Sequence, residues 1–284
     1  MERTGLNSVI LVLFAVLIGV TGCASSTPSS ASGSDTANLL QRAHKSYLKG
    51  VSADGQGDAE QLKQARRYAE TYLDRRPDGK HVAEAWYRIG QVEFHRKNYN
   101  NVIQATDNGL DAVRQPHIRV ALLVLNGKAK ASAGDAEQAL DAFQASKEFI
   151  ESNPSAADWI NAAELDYHLA GALTRTASFQ RAKDVYKTLQ DTYPETEYGQ
   201  RARDKLSFFR TFFSVQVGLF SEENNAISMK RTLERDGVDA YILSARTDGG
   251  SRYSVRTGKY DRYEDARRMK QRLERQGIEA IVKP

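Results

Sequence analysis

Residues 213–220 read Phe-Ser-Val-Gln-Val-Gly-Leu-Phe, and residues 253–260 read Tyr-Ser-Val-Arg-Thr-Gly-Lys-Tyr. The two stretches lie 40 positions apart, and the same shift superposes the downstream residues without a gap: Ala226 on Ala266, Met229-Lys230 on Met269-Lys270, Leu233-Glu234-Arg235 on Leu273-Glu274-Arg275, Gly237 on Gly277 and Ala240 on Ala280. Each half opens with apolar residues at every second position, as a strand with one buried face requires. Apolar residues at helical spacing come next and stop at a glycine suited to a helix C-terminus, and alternation then resumes. Thr247-Asp248-Gly249-Gly250 supplies a turn between the halves. Two strand-helix-strand units in tandem predict a βαββαβ domain over residues 210–284, with two helices on one sheet face and the first and third strands central. If Val215, Val255, Ala240 and Ala280 face the helices, period-two alternation puts Ser214, Gln216, Tyr241, Leu243, Arg256 and Ile281 on the open face, with Gln216 beside Arg256.

The stretch Phe213–Phe220, Asn225-Ala226 after it, Arg252–Tyr260, and the closing Gly277–Pro284 together resemble a SPOR (sporulation-related repeat) domain. The resemblance covers about Phe212 to Pro284, and Gln216 stands where the family motif has glutamine; Leu219 stands where the family often has serine. It implies recognition of peptidoglycan glycan strands stripped of stem peptides, a material enriched at division septa. The chemistry of the expected face agrees: Gln and Arg hydrogen-bond hydroxyls and acetamides, while Tyr241, Leu243 and Ile281 offer apolar contact to sugar rings. Residues 212–284 carry 14 Lys or Arg against 11 Asp or Glu, an excess of only three positive charges. Shape and hydrogen bonding must therefore carry specificity.

Upstream, from about Leu39 to Phe209, apolar residues recur at three- and four-residue spacings between Gly, Asn, Asp and Pro breaks, predicting a succession of amphipathic helices over residues 38–209. Small residues Ala65, Val102, Ala139 and Ala182 fall 37, 37 and 43 positions apart, near the period of stacked helix pairs. The copy Trp86, Ile89, Gly90, Phe94, Tyr99, Val102 and Leu110 resembles the tetratricopeptide pattern, with Gly90 allowing close helix approach and Asn98-Tyr99 forming the turn. Three or four such repeats form a solenoid whose concave surface suits a protein partner. The alternative is a spacer linking envelope layers with no protein partner.

The N-terminus adds a targeting signal. Arg3 precedes an apolar run, Val9 to Val20, too short to span a bilayer, which needs roughly 20 residues. Val20-Thr21-Gly22-Cys23 resembles the bacterial lipobox and ends on the only cysteine in the chain. Residues 1–22 thus read as a lipoprotein signal peptide and Cys23 as the lipidated residue, anchoring the chain in the cell envelope on the periplasmic side. In a Gram-negative cell, the absence of aspartate at Ala24 points to the outer membrane. Residues 23–37, rich in Ser, Thr and Ala, are expected to form a flexible tether.

With 40% apolar and 27% charged residues and a net charge of +4, the chain suits neither a multi-span membrane protein nor a nucleic-acid binder. His44, His81, His95, His117 and His168 show no metal-ligand spacing, and neither a nucleophile elbow nor a phosphate loop occurs. No catalytic residue, metal or cofactor is expected. The whole reads as an anchored, non-enzymatic, multidomain adaptor acting in cell division, envelope linkage or wall remodelling.

Overall fold

The computed structural model describes residues 31–51, 58–247 and 249–284. The expected signal peptide, Cys23 and Asp248 of the expected turn lie outside them. The described chain runs through nine helices and then a four-stranded domain. The helices are α1 (Ala31–Gly50), α2 (Ala59–Arg75), α3 (Val82–His95), α4 (Tyr99–Ala112), α5 (Pro116–Ala133), α6 (Ala136–Ser152), α7 (Ala162–Arg175), α8 (Phe179–Thr192) and α9 (Glu197–Ser207). The expected tether is corrected at its C-terminal end, because α1 already begins at Ala31. Leu39, Leu40 and Ala43 bury one side of this helix, and alanine-containing chain before them extends the helix they nucleate.

Consecutive helices pack as pairs, α1 on α2, α3 on α4, α5 on α6 and α7 on α8, with α9 closing the row against α8. Ala65, Val102, Ala139 and Ala182 sit on the second helix of their pairs at 0% exposure, so the small residues mark the close contacts. The longer last interval has a plain origin: a six-residue 3-10 helix, Pro154–Trp159, is inserted before α7, and 43 exceeds 37 by six. Gly127 shows how tight the pairing is. A Cβ built there would lie 2.7 Å from Phe143 Cε1, and Phe143 is fully buried. Replacing Gly127 by Ala should lower stability by about 1–3 kcal/mol through overpacking, despite alanine's better helix propensity. Denaturant unfolding checks this, and a gain in stability would show that the α5–α6 contact yields.

Glu93 in α3 is 1% exposed, an unusual place for a carboxylate. It accepts hydrogen bonds from Arg66 Nη1 (2.7 Å), Asn98 Nδ2 (2.7 Å) and Asn101 Nδ2 (3.3 Å). These partners come from α2, from the α3–α4 turn and from α4, so one side chain binds three successive elements. Burial pushes its pKa up, but the bonds from Asn98 and Asn101 and the Arg66 charge outweigh this and hold it below its ordinary value.

The remaining domain comprises β1 (Phe213–Phe220), α10 (Glu223–Arg235), β2 (Ala240–Thr247), β3 (Gly250–Tyr260), α11 (Tyr263–Arg275) and β4 (Ile281–Lys283). The strands pair antiparallel in the order β2-β3-β1-β4, so β1 and β3 are central as the tandem repeat requires. Val215, Val255, Ala226, Ala266, Leu233 and Leu273 are all at 0% exposure between sheet and helices. Gly237 and Gly277 close α10 and α11 with φ of 75° and 79°, the left-handed conformation that glycine adopts without a Cβ penalty.

The two regions are not joined by a loose linker. Phe213 at the start of β1 meets Phe179 of α8 edge-on at 4.9 Å and Tyr263 of α11 at 5.6 Å. Phe209 packs near Phe179 and Tyr186, and the Arg175 guanidinium lies 4.8 Å from the Tyr263 ring centre. One apolar cluster runs from Val120 in α5 to Ala280 before β4.

Candidate functional site

The strand registers place every expected residue on one sheet face. Gln216 pairs with Arg256 on one side and Ile281 on the other; Ser214 pairs with Lys283, Tyr241 with Arg256, and Leu243 with Ser254. The 40-residue shift extends to this face. It relates Ser214 to Ser254, Gln216 to Arg256, Tyr241 to Ile281 and Leu243 to Lys283, so a local pseudo-two-fold axis passes between β1 and β3.

The face is only partly open. Arg256 is 2% exposed and Ser214 is fully buried, which corrects the expectation that both meet solvent. The cause is the segment before β1: α9 packs against β2, and the Phe208 ring lies over the Arg256 guanidinium at 5.9 Å. Arg256 is consumed internally. Its Nε donates to Ser254 Oγ (3.1 Å), and its Nη1 donates to Ser214 Oγ (3.2 Å) and the Pro284 carbonyl oxygen (2.5 Å). Burial pulls the guanidinium pKa down to about 10, opposed by Tyr241 and reinforced by Arg210. Tyr241 is half-buried and donates from its hydroxyl to the Gly258 carbonyl at 3.2 Å, so it offers a ring edge more than a free hydroxyl.

What stays open lies towards β4. Gln216 is half-buried, and its Oε1 accepts from Ser254 Oγ at 3.0 Å. Arg256 thus fixes Ser254, Ser254 fixes the Gln216 amide, and the Gln216 Nε2 hydrogens have no partner among the described residues. Ile281 (56% exposed) and Leu219 (51%) flank it as large apolar side chains in solvent. Leu219 escapes the alternation rule because a register shift between Gln216 and Gly218 inserts Val217 as a bulge and sets Leu219 opposite Ser254. Beyond the Gln216–Ile281 pair, β1 and the connection from α11 diverge. They open a groove of about 540 Å³ whose lining includes Gln216, Gly218, Gly277, Glu279 and Ile281. A fixed amide, the Glu274 and Glu279 carboxylates as acceptors and the exposed Ile281 side chain around a groove of this size suit a neutral, hydroxyl-rich ligand.

The expected set lacks Leu219, Ser254, Lys283 and the covering Phe208; alternation from Arg256 and Ile281 reaches Ser254 and Lys283 but not the other two. Ser254 and Lys283 are reachable from the 40-residue repeat as counterparts of Ser214 and Leu243. Among the described residues, no cluster of three or more His, Cys, Asp or Glu could hold a metal, and no helix is long and apolar enough to cross a membrane.

Against known families, residues 210–284 match the SPOR domain model, about a quarter of the chain. No curated protein matches the chain. The βαββαβ unit at the end of the helical region is a SPOR domain, a peptidoglycan-binding domain associated with cell division.

Proposed function

We propose that the chain is a membrane-anchored, non-enzymatic adaptor. Residues 1–22 direct export, lipid on Cys23 holds it to the envelope, and residues 38–209 form tetratricopeptide-like repeats that engage a protein partner. Residues 210–284 grip glycan strands freed of stem peptides, in division or wall remodelling, at the outer membrane if the cell is Gram-negative. The observation that carries the reading is the Gln216 amide, held by Ser254 and Arg256 with its N–H groups free beside exposed Leu219 and Ile281. Gln216 and Ile281 are then direct glycan contacts, with Leu243 and Tyr241 at the margin. Ser214 and Arg256 are supports beneath the contact surface.

The test is co-sedimentation of the full chain with purified sacculi. Gln216→Ala should weaken binding about tenfold, because a ligand hydroxyl or acetamide loses a fixed partner. Retention at the wild-type level would remove this face from the function.

A further inference from the structure

On the side of the helical region built by the first helices of successive pairs lies a second groove, of about 210 Å³. Tyr47 of α1, Tyr87 and Gln91 of α3, Leu125 and Lys128 of α5, and Trp159 line it. Trp159 ends the 3-10 helix Pro154–Trp159, so one wall comes from the six-residue insertion that the repeat period does not call for. Its ring stacks on His117 at 4.0 Å, with 23° between the planes, and stays 45% exposed.

The groove is neutral towards α7 and cationic between α1 and α3. At the neutral end Lys128 Nζ donates to Glu164 Oε1 at 2.5 Å, and Glu164 lines the groove as well. Arg88 has no such partner: among the described residues it forms no ion pair, and Glu84, one turn earlier on α3, lies against His81 Nδ1 at 3.2 Å instead. Arg88 Nη1 donates to Gln91 Oε1 (2.7 Å), and the guanidinium carbon is 5.6 Å from the Tyr87 ring centre. Two groove residues thus hold the guanidinium at this end, while its Nε is buried without a hydrogen-bond partner. Gln91 Nε2 in turn donates to the Tyr87 hydroxyl at 3.1 Å. Neither the Tyr47 nor the Tyr87 hydroxyl hydrogen has an acceptor among the described residues. A half-buried cation beside two idle donors lacks one thing, an acceptor that carries negative charge.

We propose that this groove takes an acidic segment of a protein partner, with an Asp or Glu side chain on Arg88 and a large apolar side chain from the same segment against Trp159. This rests on the reading of the helical region as partner-binding. Charge complementarity selects the acid: one carboxylate supplies the counter-charge that Arg88 lacks and acceptors for the tyrosine hydroxyls. The volume admits a large side chain and not a folded domain, so the partner enters as an extended or helical segment. Trp159 sets which segment fits. The insertion that carries it occurs in one interval of the repeat only, so the apolar wall is not repeated along the row.

The probe is a library of short random peptides, displayed with their C-termini fused to a carrier and selected on the full chain. Enriched sequences should combine Asp or Glu with Leu, Phe or Trp a few positions away. In a selected peptide with blocked ends, changing the acid to its amide should weaken binding to wild type about tenfold and to Arg88→Gln less than about twofold. Trp159→Ala should weaken the acidic peptide about tenfold, and Arg88→Lys should keep part of the affinity that Arg88→Gln loses. Selected peptides without an acid would overturn the site, as would an acid-to-amide change that costs wild type nothing or costs wild type and Arg88→Gln equally. If peptides are selected but respond to neither Arg88→Gln nor Trp159→Ala, partner binding lies elsewhere on the chain and this groove falls. If the wild-type chain enriches nothing over an unrelated protein, the partner reading itself fails.

Discussion

Truncating Phe213 to Ala should cost about 3–5 kcal/mol of unfolding free energy. The ring is 1% exposed and touches both halves of the molecule, Phe179 from the helical region and Tyr263 from the sheet domain. Its loss leaves a cavity where neither half can collapse without separating from the other. Phe213→Leu keeps most of the apolar volume and gives up two edge-on ring contacts, so it should cost only about 1–3 kcal/mol. Chemical denaturation followed in parallel by Trp86 and Trp159 fluorescence, which report the helices, and by amide exchange in β1 and β3 separates the effects. In the Ala variant the strand amides should exchange before the tryptophans respond. A cost under about 1 kcal/mol would show that Phe213 does not join the two regions into one core, and coincident transitions in the Ala variant would show that other contacts hold them together.

Removing the Glu93 carboxylate as Glu93→Ala should destabilise the helical region by about 3 kcal/mol, since a buried charge network is broken on one side and Asn98 and Asn101 lose their acceptor. The pH dependence has a definite sign. The folded carboxyl is held below its ordinary value of 4.5, so on acidification the unfolded chain takes up the proton first. The network's contribution is whole above pH 4.5 and fades as pH falls through the lower folded value. Wild-type stability should therefore drop on acidification below pH 4.5 by more than that of Glu93→Ala. Thermal melts from pH 7 to pH 3 read the difference; parallel curves would mean that Glu93 carries no stabilising charge in the fold.

Much of the architecture is legible in the chain. A gapless 40-residue echo specifies two equal units, and the pairing of Gln216 with Arg256 comes from equivalence together with central strand positions. The helix pairs come from small residues at a steady interval, and even the long interval has a local cause in the 3-10 insertion. The part that local pattern does not carry is tertiary. Alternation says which face a residue is on, not whether something lies across that face, and nothing local marks Phe208 as the residue that covers Arg256. A one-residue bulge likewise moves Leu219 onto the ligand side, because register depends on the partner strand as well as on the strand itself. The helix at residues 31–37 is hidden for a related reason: Ser-, Thr- and Ala-rich chain reads as tether until a neighbour anchors it.

The matched family segment begins at residue 210, yet Lys205 and Phe208 lie upstream of that limit. A fragment excised at the family boundary would therefore hydrate the Arg256 guanidinium and surrender one ammonium group, while keeping the partners that hold Ser214 and Ser254. Affinities measured on such a fragment describe a wetter, less cationic surface than the intact chain presents to the wall.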